Sequence, residues 1–314
     1  MIQATGGIVS EGPLLVAETA SVPHAGLTER AGEVAAALGL DVFVCCIQND
    51  AGLPPPLPGK RERMQRLMQR RLARGRRALD RRLAAMQADG VRAEGSVALS
   101  DSFRETVLDR VHEQSASLLM MLWHAHTALE RRTLAGDDFA LVRESPVPVW
   151  IVRPGNSGRT NVVAAVGSAP QAANGESLED RILDQAAILA GRLRKQSHAL
   201  YTFGQAGAVS EPIEPPAENP QDDMGMSRTD ERIRRIRELA SSHGIAPEHA
   251  HVYEGRLERV LAEEADAMDA DLVVVGDRDA GRLRRVLSGG SAEAIIEQVP
   301  TDVLVMKPSA PVRP

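Results

Sequence analysis

The chain has 314 residues, 43% of them hydrophobic and 25% charged, with a formal net charge of −6. That length predicts about two domains, each large enough to bury a core without staples. The mild acidity lends no support to a general polyanion-binding role, and no apolar run approaches the roughly 20 residues of a membrane span.

The first basic residue is Arg30, which argues against a secretory signal. The two cysteines are Cys45 and Cys46. Adjacent strand residues point to opposite faces, so no internal disulfide is expected, and reduced thiols fit a cytosolic chain.

In chain order the pattern predicts a strand at 13–19, then a helix at 26–38 with Leu27, Ala31, Val34, Ala35 and Leu38 on one face. Residues 41–48 read as a strand buried on both faces. A Pro/Gly-rich loop at 52–59 precedes a long amphipathic helix at 60–87. A strand at 91–99, helix at 101–114, strand at 118–124, helix at 137–144 and strand at 147–152 complete a first set. The second set runs strand 161–166, helix 178–195, strand 198–203, a polar loop 211–223, helix 229–243, strand 249–253, helix 257–268, strand 271–276, helix 292–298 and strand 302–306. Alternation of this kind implies parallel sheets with right-handed crossovers and helices on both faces.

The chain also repeats itself. Residues 116–154 align without a gap on residues 270–308 at an offset of 154: Leu118 falls on Leu272, Arg131 on Arg285, Gly136 on Gly290 and Pro146 on Pro300. A repeat of this length is a whole domain, not a solenoid unit. The expected architecture is therefore α/β: two tandem doubly wound five-stranded parallel-sheet domains, Rossmann-like or flavodoxin-like, at 1–154 and 161–308. A linker at 155–160 joins them, a tail at 309–314 follows, and the two domains are expected in a pseudo-twofold arrangement.

Ligands on such sheets sit at the carboxyl ends of strands, near a switch in strand order. The tips ending at Val166 and Gly276 are the places to look. Gly276 lets the chain leave the strand sharply, and Gly289, Gly290 and Ser291 then open a helix. Free N–H groups at a helix start form an anion site, with Ser291 able to cap it.

These residues resemble the universal stress protein family. The family is marked by a glycine at the end of strand four, another three residues later, then nine residues and a Gly-Ser or Gly-Thr. Gly276 matches the first glycine and Gly289 the third. Asp279 stands at the second, and Gly290, followed by Ser291, stands where Ser or Thr is usual. The segments DLVVVGDR, AEAIIEQ and VPTDVLVMKP are also similar to the family, and the tandem layout is similar to its double-domain E-type members.

The resemblance implies an adenine nucleotide site, ATP or AMP, in the second domain. Its residues are Val166, Gly167, Gly276, Arg278, Gly289, Gly290 and Ser291. Gly167 stands where nucleotide-binding members carry an Asp. The glycine positions of the first copy fall on Leu122, Ala125 and Ala135, so its site reads as degenerate. The resemblance further implies that the final strands, around 149–152 and 303–306, pair edge to edge within the chain, with further dimerisation left open. It also implies a cytoplasmic role in resistance to stress, including oxidative or DNA-damaging stress.

Three other features of the chain bear on function. His124 and His126 share a strand face and could share a metal, with Asp137 or Asp138 as the third ligand on offer, but no Cys or Glu stands nearby at ligand spacing, so no metal is expected. The run SGGS at 288–291 follows the wrong strand for a pyrophosphatase loop. The helix at 60–82 carries ten arginines. A solvated basic face is its plain reading, and contact with nucleic acid or anionic lipid is the alternative. No specific nucleic acid binding is expected.

No catalytic constellation stands out. Ligand binding or protein interaction without turnover is the expected mode, with weak ATP hydrolysis and a ligand-free interaction scaffold as the alternatives.

Overall fold

A computed structural model of the protein describes residues 12–19, 25–49, 61–123, 135–156, 158–166, 177–203, 223–277 and 292–307. The chain divides into two compact units, Met1–Gly155 and Asn156–Pro314.

The first unit comprises β1 (Leu14–Thr19), α1 (Ala25–Leu38), β2 (Val42–Asn49), α2 (Arg61–Ala88), β3 (Ala93–Ser100), α3 (Phe103–Glu113), β4 (Leu118–Leu122), α4 (Ala135–Glu144) and β5 (Val149–Val152). Its strands run β3-β2-β1-β4-β5, and each neighbouring pair is parallel. Both faces of the central strands are covered, so they are apolar without alternation: Leu14, Leu15, Val16 and Leu118 through Met121 are all buried. Each such side chain, fully buried, stabilises the fold by about 1.5–3 kcal/mol. Cys45 and Cys46 lie buried and unbridged on opposite faces of β2. Burial pushes both thiols up to about 11.

The second unit repeats the plan with β6 (Asn161–Val166), α5 (Leu178–Leu193), β7 (Gln196–Phe203), α6 (Asp223–Ser242), β8 (Ala250–Glu254), α7 (Leu257–Glu264), β9 (Ala270–Gly276), α8 (Ala292–Gln298) and β10 (Asp302–Met306). The strand order is β8-β7-β6-β9-β10, again parallel throughout. A 3-10 turn at Pro247–His249 leads into β8.

Two boundaries differ from the sequence pattern by more than two residues. Helix α6 begins at Asp223, where a loop was expected. Helix α7 ends at Glu264 and not at 268, because the chain turns through residues 265–269 and Asp269 adopts the left-handed region, φ 48°. Met268 is still buried, so its side chain continues the apolar pattern after the helical backbone has stopped.

Helix α5 is fixed at both ends. The Ser177 hydroxyl accepts from the Asp180 N–H while the Asp180 carboxylate accepts from the Ser177 N–H, a reciprocal capping box. Arg194 ends the helix in the left-handed conformation. Burial works against the Asp180 carboxylate, but the Ser177 donors and His243 outweigh it and hold the carboxyl below its usual range.

Candidate functional site

In the second unit, β7 and β8 extend from β6 in one direction, and β9 and β10 extend in the other. The strand order therefore reverses between β6 and β9, and the crevice outside the carboxyl ends of those two strands is the expected ligand position. Ala164 pairs with Val274 across this junction. The same register carried two residues further sets Val166 level with Gly276, so the two predicted tips stand side by side.

The Val166 side chain is only 1% exposed. It packs into the core, and only its main chain can face a ligand. Gly276 is needed for a different reason from the one the sequence suggested. Its φ is not in the left-handed region. Instead, a Cβ there would lie 2.7 Å from Leu178 Cδ2 and 2.9 Å from Ile182 Cδ1. The first turn of α5 lies directly over the strand tip, and the missing side chain lets it do so. The other expected site residues, Gly167, Arg278, Gly289, Gly290 and Ser291, lie outside the described residues, as do His124 and His126.

The root of the loop after β9 is held by a buried polar network that the sequence did not reveal. Asp277 follows Gly276, and its N–H donates to the Met306 carbonyl. Its carboxylate accepts from Lys307 Nζ at 2.9 Å, with the two side chains 10% and 8% exposed. Buried Arg181, one turn into α5, donates to the Lys307 carbonyl at 2.8 Å. The network ties α5, β9 and β10 together at their ligand-facing ends. It also matters electrostatically. An acidic residue at the root of a phosphate loop would repel an anion, but Lys307 compensates Asp277 at contact distance. The described residues are therefore compatible with an anionic ligand at the tips.

The first unit treats the same positions differently. At the repeat offset, Leu122 stands for Gly276, Trp123 for Asp277 and Arg153 for Lys307. Leu122 and Trp123 are buried. The Arg153 guanidinium lies 4.7 Å from the Trp123 ring centroid, and Phe139 of α4 packs against the indole at 5.7 Å. An arginine over a tryptophan thus replaces the lysine–aspartate pair. Bulky side chains fill the end of β4 where the second unit carries only a glycine.

Two further features lie away from these tips. A cleft of about 710 Å³ is lined by Ile233, Arg234, Arg237, Glu238, Ser241 and Pro247, along α6. At the starts of β7 and β8, the opposite end of the sheet from Gly276, the imidazole of His198 stacks on His249 at 4.2 Å and on His251 at 5.3 Å. Burial, then the adjacent rings of His249 and His251, push His198 down to about 4; His251 is lowered by burial and His249. Among the described residues no group of three His, Cys, Asp or Glu side chains is arranged to hold a metal ion, and no described helix is long and apolar enough to cross a membrane.

Comparison with known proteins agrees with this architecture. The profile of the universal stress protein family matches residues 12–153 and again 171–307. Universal stress protein E of Photorhabdus laumondii is 26% identical over 207 residues, 65% of each chain, and its Escherichia coli K12 counterpart is 25% identical over 206 residues, also 65% of each chain. The chain thus spans about 65% of the length of these relatives. Among solved structures, a Pseudomonas aeruginosa PAO1 protein superposes with a TM-score of 0.68 at 19% identity, covering 95% of this chain and 93% of that one. A universal stress protein from Archaeoglobus fulgidus gives 0.65 at 16% identity, covering 94% and 96%. At these identities the superpositions speak to the fold alone.

Proposed function

Because the chain belongs to the universal stress protein family, we propose that it serves the stress response in the cytoplasm by binding an adenine nucleotide, ATP or AMP, at the second unit, without turnover. Family membership supports the stress-response role. The observation that carries the nucleotide reading is the reversal of strand order between β6 and β9, with Gly276 level with Val166 at that crevice. The phosphates would meet the N–H groups of the loop and helix start at Gly289, Gly290 and Ser291, with Arg278 near them. The main chain at Val166 and Gly167 would face the nucleoside.

Equilibrium binding of labelled ATP to the full chain and to Gly289→Asp tests this reading. Saturable binding that the substitution abolishes is expected. Equal binding by both, or by neither, overturns it.

A second reading concerns the first unit. Trp123, Phe139 and Arg153 fill the end of β4, so this unit serves as an interaction scaffold and not as a second nucleotide site. One nucleotide per chain at saturation is expected, and two would refute it. Hydrolysis, if present at all, would appear as phosphate release above buffer in the same samples.

A further inference from the structure

Helix α2 is unlike the rest of this acidic chain. Residues 61–88 hold ten arginines, no lysine and two acidic residues, Glu62 and Asp80. Arg82 is turned inward to pair with Glu18, and Arg76 pairs with Asp80 at 3.5 Å. Arg66, Arg70, Arg74, Arg77 and Arg81 are all exposed. At about 100° per residue these five fall within an arc of about 80°. Gly75, Leu79 and Met86, which are buried, lie on nearly the opposite side of the helix. The arginines therefore form one outward ridge, about 22 Å long at 1.5 Å rise per residue.

A ridge of this kind works against the helix that carries it. Arg66 and Arg70, Arg70 and Arg74, and Arg77 and Arg81 are i, i+4 neighbours, and like charges at that spacing repel. A solvated helix face usually intersperses acidic partners to relieve such repulsion; this one has only Glu62 and Asp80 against ten arginines, and Asp80 pairs with Arg76. A bound polyanion would relieve it. The arginine-only composition favours phosphate, since the planar guanidinium fork donates two parallel hydrogen bonds to phosphate oxygens.

We infer that the outward ridge of α2 is a docking surface for the phosphate backbone of a nucleic-acid duplex, engaged without reading the bases. The shape argues for a duplex. A straight ridge of about 22 Å laid along a duplex spans about six base pairs at 3.4 Å of axis each, so it meets the phosphates of both strands. A single strand would call for stacking aromatics, and only 3% of the chain is aromatic. An anionic bilayer would call for apolar groups beside the cations to enter the headgroup region. Leu67, 43% exposed at the edge of the arc, is the only large one among the described residues of this helix.

Fluorescence anisotropy of the full chain with a labelled 20-base-pair DNA duplex tests the assignment. Five neutralised phosphates predict a slope of about −4.5 in log affinity against log salt, a loss of roughly 500-fold between 50 and 200 mM. Arg70→Gln/Arg74→Gln/Arg77→Gln should reduce the slope to about −1.8 by the same relation. Its circular dichroism should match the parent, because the three side chains point to solvent. Arg192→Gln/Arg235→Gln removes two exposed arginines of the second unit and should leave the slope unchanged. Absence of binding at 50 mM salt, a slope that the triple variant leaves intact, an equal loss in the Arg192/Arg235 variant, or stronger binding to phosphatidylserine vesicles than to the duplex each overturns the proposal.

Discussion

Replacing Lys307 by methionine isolates the buried pair that holds the loop root. The side chain keeps its length and apolar stem but loses the ammonium 2.9 Å from the Asp277 carboxylate. Asp277 is then a carboxylate only 10% exposed without its contact cation. Removing one partner of a buried pair costs about 3–5 kcal/mol. Asp277 retains further interactions, so about 3 kcal/mol, the lower end, is the expected loss. For a unit of this size that lowers the melting temperature by about 6–12 °C. Changing both partners, Asp277→Asn/Lys307→Met, removes the stranded charge and should recover most of the loss, with a coupling of about 1.5–3 kcal/mol in the double-mutant cycle.

The protein supplies its own readout for this experiment. Both tryptophans, Trp123 and Trp150, lie in the first unit, and both tyrosines, Tyr201 and Tyr253, lie in the second. Tyrosine absorbance therefore follows the unit that is changed, while tryptophan fluorescence excited at its red edge follows the one that is not. The reasoning fails if Lys307→Met costs less than about 1 kcal/mol, which is below any value expected for a buried pair. It fails equally if the double variant is no more stable than the single one.

Gly276→Val forces new methyl groups against Leu178 and Ile182 and should cost about 1–3 kcal/mol in the tyrosine-detected transition; an unchanged transition would show that α5 yields freely. Ser177→Ala removes the reciprocal cap of α5 and should cost about 1 kcal/mol by the same measurement. His198 and His251 bind protons more weakly in the folded unit than in the unfolded chain. The unfolded state thus takes up more protons below about pH 6.5, and stability falls with pH through that point until His198 titrates near 4. Partial exposure discounts the loss to about 1–2 kcal/mol. Urea midpoints at pH 7 and pH 4.5 should differ less in His198→Leu than in the parent, and an equal difference would refute the assignment.

The sheet was legible because its central strands are uninterrupted apolar runs, such as DLVVVG ending at Gly276 and LLMML at 118–122, which only burial on both faces explains. Helix ends were less legible. The polar stretch ahead of residue 229 has little apolar content, which hid the start of α6 at Asp223, and a buried Met268 extended the apolar pattern of α7 past its last helical residue. The Asp277, Lys307 and Arg181 network was invisible for a different reason. Its members are 30 and 126 residues apart, and no periodicity links them. Gly276 was found by its motif, but the crowding that demands it comes from Leu178 and Ile182, about a hundred residues earlier, and appears only once α5 lies over β9. Val166 was placed at the right strand tip, yet the burial of its side chain depends on the neighbouring strands and cannot be read locally.

The adjacent cysteines of β2 make the first unit a record of its own opening. Attack by a thiol reagent needs the thiolate, and with both groups pushed up to about 11 almost none forms near neutrality while the unit is closed. Labelling therefore proceeds through fluctuations that expose the strand, and its rate measures how often those occur. The two positions sample different layers. Cys45 lies beside Arg110 of α3, while Cys46 lies beside Glu18 of β1 and Arg82 of α2. Mass-resolved labelling of one thiol ahead of the other would reveal which helix lifts first. Without any engineered probe, the order in which the two sides of the sheet shed their cover can be timed in the natural sequence.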